Sequence, residues 1–438
     1  MSTGMTATKG GNQQPDLFKL AAALENATPN NLFASAARPK TSQEEFKITK
    51  TKEQVEEQDG KEAGDDITME TAEGIRDVLF GRRSFTIGDE WKRASFVRCP
   101  PDGPFPYGLL TPRDKARGLL IAIQAQFIQK ILEGDGNQST QDPARATGQI
   151  KVRKSLTAYA QRKQFISTLV TILWRAGECK KAIVVLHYPK YAALLYSQQK
   201  RLEHFIQEIK VIECVSEKQL HKLLDKKLGM FEDQVGGGPL MFLFSLILSR
   251  RISKLKDDLQ GEYLWTETDQ CSLSLINLVL SGQATPYLFN GKQEYGLDSK
   301  PLDVPRYGIQ KRAEIGILVV DRPEGKQAKN IKKITIGSML KTPVFPVWVL
   351  RLKGRYSLFF CCNLNLNRDW RSEAKFSLYF YTGQSEQKEE VRLTVDSRLR
   401  LMEEKKKKDD KNIPLVDECI QSRWPGAHID WNGTPPFF

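Results

Sequence analysis

Cysteine and histidine are the residues through which this chain could do covalent or metal chemistry. It has seven cysteines, at 99, 179, 214, 271, 361, 362 and 419, and four histidines. A structural zinc site needs these residues in closely spaced pairs. There is no Cys-x-x-Cys, and no histidine stands at ligand spacing from a cysteine, so neither a metal nor any other cofactor is expected. An odd, irregular set of thiols fits a reducing compartment. A nucleophilic cysteine needs a neighbour that lowers its pKa, such as a helix N-terminus, and a histidine to act as base. Cys271 opens the helical pattern "QCSLSLINLVLSG" (270–282) and is the best-placed thiol, but the apolar run after it suits core packing. Cys99 lies in a Pro-Pro loop with no helix behind it. Cys361 and Cys362 read as core and edge thiols of a strand, His187 as the end of a buried strand, and His428 as part of a final turn.

The cations are as informative as the thiols. The stretch "TPRDKARGLLIAIQAQFIQKIL" (111–132) becomes apolar nearly all round after Gly118, as a helix in the middle of a fold must be. Yet Arg113, Lys115 and Arg117 crowd its start, where the helix dipole disfavours positive charge. Thr111 as cap, Pro112 in the first turn and Asp114 two residues on predict a helix beginning near Pro112.

Elements must position these groups. Residues 1–68 are polar and aperiodic and read as a disordered arm, leaving 69–438 as the folded domain. Helical patterns cover 70–81, 154–175, 216–228, 236–259 and 270–282, the last capped by Asp269. Ser216 with Gln219 forms a capping box. Strand patterns fall at 180–188 and 210–215, then in series at 314–321, 345–354, 355–363, 375–383 and 389–396, with "LKGRY" (352–356) as a hairpin turn. Helices first and antiparallel strands afterwards predict an α+β fold. The absence of an apolar leader or a run long enough to span a bilayer points to a soluble intracellular protein, cytoplasmic or nuclear. The formal charge is +13, and 143–200 holds eleven Lys/Arg against the single acid Glu178. That stretch is a solvated face or a surface for an acidic protein partner. No nucleic-acid-binding motif accompanies it, and neither nucleic acid nor membrane is an expected partner.

Several stretches, in order, resemble the MINDY family of deubiquitinases, its fourth branch most closely: "FGRRSFTIGDEWKRASF" (80–96), "YGLL" (107–110), "GLLIAIQAQFIQKIL" (118–132), "LKTPVFPVWVL" (340–350), "RDWR" (368–371), "RLTVD" (392–396) and "RWPGAHIDWNG" (423–433). The resemblance implies a papain-like cysteine-peptidase fold, with the buried central helix packed on the late antiparallel sheet. It implies ubiquitin or polyubiquitin as partner, with lysine-48 linkages preferred. Carried over residue by residue, it puts Arg117 at the nucleophile position, Arg355 at the base position and Thr111 at the oxyanion position, with Tyr356 and Ser357 kept. A guanidinium has no lone pair and stays protonated, so it serves as neither nucleophile nor base. On this reading the catalytic set is degenerate and the chain is not an enzyme but an inactive hydrolase that acts as a ubiquitin-binding or regulatory module. The alternative is a basic scaffold working through 143–200 without ubiquitin. If the fold holds Arg117 and Arg355 about 5 Å apart, they repel by roughly 3 kcal/mol at an effective dielectric near 20. They should then splay outward, with Asp114 or another acid pairing Arg117, or together clasp a carboxylate such as a ubiquitin tail.

Overall fold

The computed structural model describes residues 64–81, 87–134, 156–187, 209–233, 237–296, 299–321, 334–398 and 413–437. The chain divides into two units, 1–55 and 56–438, and every described residue belongs to the second. The expected arm 1–68 lies outside the described residues except for 64–68. In order the elements are β1 (Asp65–Asp66), α1 (Met69–Phe80), α2 (Asp89–Arg93), α3 (Arg117–Glu133), α4 (Ala158–Ala176), β2 (Ala182–Leu186), β3 (Lys210–Cys214), α5 (Glu217–Glu232), α6 (Gly238–Arg250), α7 (Ile252–Leu259), α8 (Leu273–Ser281), β4 (Lys292–Tyr295), β5 (Pro301–Tyr307), β6 (Gly316–Val320), α9 (Ser338–Lys341), β7 (Val347–Leu352), β8 (Arg355–Phe360), β9 (Lys375–Tyr381), β10 (Val391–Asp396), α10 (Leu415–Arg423) and β11 (His428–Asp430). Helices fill the first part and strands the second, so the fold is α+β.

Hydroxyl caps start the helices where the sequence offers them. Thr68 accepts from Thr71 N at 3.2 Å, Thr157 from Ala160 N at 3.1 Å, and Ser216 from Gln219 N at 3.2 Å. Two expectations fail. Asp269 does not cap the helix after it; Ser272 does, accepting from Leu275 N, while Asp269 takes a positive φ and pairs with Lys115 at 2.5 Å. The helical pattern of 236–259 breaks at Arg251, whose φ of 72° separates α6 from α7. The turn there lets Arg250 ion-pair with Asp258 at 2.8 Å and with Glu178 at 3.1 Å.

Six strands form the main sheet in the order β11-β10-β9-β8-β7-β6. All pairs are antiparallel but one: β6 runs parallel to β7, Gly316 opposite Trp348, which corrects the expected all-antiparallel series. Lys353 and Gly354, both at positive φ, make the tight β7–β8 turn. Strand alternation then divides the sheet's side chains. Val347, Val349, Tyr356, Leu358 and Phe360 join the helical core. Trp348, Leu350, Phe359, Leu378 and Leu393 join Val416, Ile420 and Trp424 in a second core with α10. α3 lies deep in the first core: every residue from Arg117 through Gln129 is buried. Among the described residues no helix is long and apolar enough to cross a membrane.

Candidate functional site at the head of the central helix

The loop leading to α3 is fixed to the far end of the chain. Thr111 donates its N–H to Gly383 O at 2.7 Å and its hydroxyl to Thr382 O at 2.8 Å. A hydroxyl so engaged does not cap a helix. Residues 113–116 accordingly bend and turn, and α3 begins at Arg117, not near Pro112 as expected. The three cations at this end are each engaged. Arg113 donates to Gln384 Oε1 at 3.1 Å, Lys115 pairs with Asp269, and Arg117 turns inward.

Arg117 is only 6% exposed. Its Nε donates to Tyr356 O at 2.8 Å, Nη1 to Thr111 O at 2.5 Å with a longer contact to Pro112 O, and Nη2 to Thr382 O at 2.5 Å. Burial pulls its pKa down to about 10, with Asp114 offsetting part of that. Burial, followed by the nearby Glu90 carboxylate, pushes Asp114 up to about 6. Arg355 is exposed at the start of β8, on the rim of the cleft. The expectation of two outward-splayed guanidiniums, with an acid pairing Arg117, is therefore corrected: Arg355 faces out, while Arg117 faces in and bonds to backbone carbonyls. Of the pair expected to clasp a carboxylate, only Arg355 is exposed on the rim.

The same site holds a thiol whose position no local pattern predicts. Cys271 precedes α8 and is 4% exposed. Its Sγ accepts from Leu119 N at 3.3 Å and donates to Lys115 O at 3.3 Å, and its carbonyl accepts from the Tyr356 hydroxyl at 3.0 Å. Gly118 permits the approach, since a Cβ there would lie 2.5 Å from that of Cys271. Burial pushes the Cys271 thiol up to about 12, and the Leu119 N–H recovers only part of that rise. A cleft of about 220 Å³ opens here between Arg113, Lys115, Arg355, Cys271, Tyr356 and Gln384. Among the described residues no histidine lines it: His187 follows β2 and His428 opens β11, a strand rather than the expected turn. Cys99 is buried against Tyr381, and burial raises its pKa. Among the described residues no cluster is placed to hold a metal ion. The ends of the basic stretch, 143–155 and 188–200, lie outside the described residues. Within its middle, Arg162 pairs with Asp225, Arg175 with Glu314 and Lys181 with Glu213.

The head of the central helix thus meets the late sheet at a cleft lined in part by a buried thiol. The family described as deubiquitinating enzyme MINDY-3/4, conserved domain, matches residues 76–433, and the chain belongs to that family. It is 30% identical over 378 residues to the probable ubiquitin carboxyl-terminal hydrolase MINDY-4 of Xenopus tropicalis, covering 85% of this chain and 47% of that protein. With the Bos taurus protein of the same description it shares 32% over 379 residues, covering 84% and 46%. The ubiquitin carboxyl-terminal hydrolase MINDY-3 of Danio rerio matches at 29% over 129 residues, 28% of this chain and 25% of that one. The chain thus spans about half the length of the MINDY-4 relatives. No solved structure matches it. These relatives overturn the expectation that the chain is not an enzyme: they are named as probable or plain hydrolases, and the family is one of deubiquitinating enzymes.

Proposed function

We propose that this chain recognises ubiquitin and that the cleft at the head of α3 receives the C-terminal tail. The observation that carries this reading is the cleft itself, in a chain of deubiquitinase family. It lies where α3 meets β8, and its exposed edge carries the guanidiniums of Arg113 and Arg355. A guanidinium fork matches a carboxylate, and a ubiquitin tail is a narrow, flexible, glycine-ended carboxylate. The papain-like reading places α3 as the helix that heads such a cleft and β8 as the strand opposite. Lysine-48-linked chains, the linkage the resemblance implies, are the first ligands to examine.

Hydrolysis by the cysteine mechanism that the papain-like resemblance implies needs a sulfur nucleophile at this cleft. The sulfur lining it is that of Cys271. With its pKa near 12, the thiolate forms only when the site opens to water or binds a partner that stabilises the anion.

Calorimetric titration of the full chain with ubiquitin ending in Gly-Gly, against ubiquitin lacking those residues, tests tail recognition. The intact protein is expected to bind about tenfold or more tightly, the scale of a charge-assisted carboxylate contact. Arg355→Ala with Arg113→Ala should bring the two affinities together. Equal affinity of the unaltered chain for both ligands refutes the reading. Incubation with lysine-48-linked diubiquitin, alongside Cys271→Ala, reports whether any cleavage depends on that sulfur.

A further inference from the structure

One large side chain of the strand-rich half is turned to solvent with no packing role. Trp370 is 78% exposed, at the start of a short 3₁₀ turn, Trp370–Glu373, that leads into β9. Tryptophan is a residue that folds usually cover. Here the surrounding backbone is held firmly while the indole is left out. Asp369 accepts from Arg371 N at 3.0 Å. Glu373 is gripped by Arg423 at 2.7 Å and by Trp424 Nε1 at 3.2 Å, and its carbonyl accepts from the Ser397 hydroxyl at 2.7 Å. Just before the turn, Arg312 donates to the carbonyls of Asn367, Thr342 and Pro343. The Arg371 guanidinium lies 5.5 Å from the indole centroid, a cation–π contact that orients the ring. A rigid, exposed Trp flanked by arginine loses little freedom on binding, and these two residue types dominate interface energetics.

Charge indicates what covers it. Arg371 lies beside the ring, and Arg368 and Lys375, within five residues of it in the chain, are exposed as well. Of the acids in the same stretch, Glu373 is paired with Arg423, which leaves the exposed Asp369, accepting from the N–H of Arg371, against three exposed cations. The exposed side chains of 368–375 therefore set an apolar ring among a net excess of positive charge. We propose that Trp370, with Arg368 and Arg371, is a docking surface for an acidic protein segment bearing an apolar side chain. The segment's carboxylates meet the guanidiniums and its apolar side chain covers the indole. None of these residues lines the cleft at α3, so the proposal stands apart from tail recognition. A nucleic-acid strand suits the surface less well. Arg371 already occupies the neighbourhood of the ring, and the turn carries no second aromatic on which a following base would stack.

The test is fluorescence anisotropy of the full chain with a fluorescein-labelled peptide in which glutamate alternates with leucine. Saturable binding is expected, weakened by high salt and weakened about tenfold or more by Trp370→Ala and by Arg371→Glu. Trp370→Phe, which keeps a ring, should fall between. A side chain this exposed leaves the urea midpoint unchanged when removed, so a loss of binding by Trp370→Ala at constant midpoint reports the contact itself. The proposal is overturned by an absence of saturable binding, by Trp370→Ala binding as well as the unaltered chain, by equal binding of a lysine–leucine peptide, or by tighter binding of oligothymidine.

Discussion

Replacing Arg117 with methionine sets two large effects against each other. Methionine has similar reach and fills similar space, but donates no hydrogen bond. The guanidinium serves three buried or half-buried carbonyls, those of Thr111, Tyr356 and Thr382. Hydrogen bonds to a charged group contribute about 1.5–3 kcal/mol each, so their joint loss is of order 5–9 kcal/mol. Against this stands the burial of a cation that no carboxylate directly pairs. Its pKa falls from 12.5 to about 10, and at about 1.4 kcal/mol per unit that burial costs roughly 3 kcal/mol, recovered in the variant. The net expectation for Arg117→Met is a loss of about 2–6 kcal/mol in urea unfolding. Limited proteolysis should also cut more rapidly after Arg113 and Lys115, because the loop loses its tie to β8 and to residue 382. Arg117→Lys, a point charge able to reach one carbonyl or two, should lie between. A methionine variant as stable as the unaltered protein would mean that charge burial costs as much as carbonyl satisfaction gains, and would refute a stabilising role for Arg117.

Cys271 should resist alkylation. With its pKa near 12 against about 8.5 for a free thiol, the thiolate fraction at pH 7 falls by roughly 10³; mass spectrometry after iodoacetamide should show the exposed Cys179 modified long before it, and equal rates would count against the burial seen here. Gly118→Ala should cost about 2 kcal/mol or more, because the added methyl meets the Cys271 Cβ at 2.5 Å and the Tyr356 ring at 3.0 Å, an overpacking effect; an unchanged thermal midpoint would show that the helix head slides freely. For Asp114, a folded pKa of about 6 lies above the unfolded value of about 3.9. The folded chain therefore binds more protons between these values, and stability contributed by this group rises as pH falls from about 7 towards 4. Asp114→Asn should flatten that part of the pH–stability curve, and an identical curve would refute the assignment.

Much of the architecture could be read from the residues because the signals are local. The β-branched runs of β2, β6 and β7, the Ser216–Gln219 box and the all-round apolar α3 each declare themselves within a dozen positions. What misled were residues with distant partners. "TPRD" has the form of a helix start, but Thr111 is engaged by the backbone at 382–383, and no window of sequence contains both. Asp269 likewise has the form of a cap, yet Lys115 holds it. The parallel pairing of β6 with β7 is not encoded in the pattern of either strand. β4 and β5 went unseen because that ribbon is mostly exposed and carries no hydrophobic alternation. At the site, Arg117, Arg355 and Thr111 stand out through family resemblance. Cys271 is legible as a thiol at a helix start, but its place at the head of α3 depends on the fold.

The reach of Arg117 has a consequence for synthesis. Its bond to Thr382 spans 265 residues. At about 5–20 residues per second on the ribosome, roughly 13–53 s pass between the appearance of the guanidinium and that of its acceptor. Throughout that interval this buried helix has a cation at its head with only the local carbonyls of Thr111 and Pro112 to receive it, and those of Tyr356 and Thr382 still to come. α3 is thus held from final burial until β8 and β9 have emerged and paired, and a chain released before residue 382 would leave this helix exposed to chaperones and proteases.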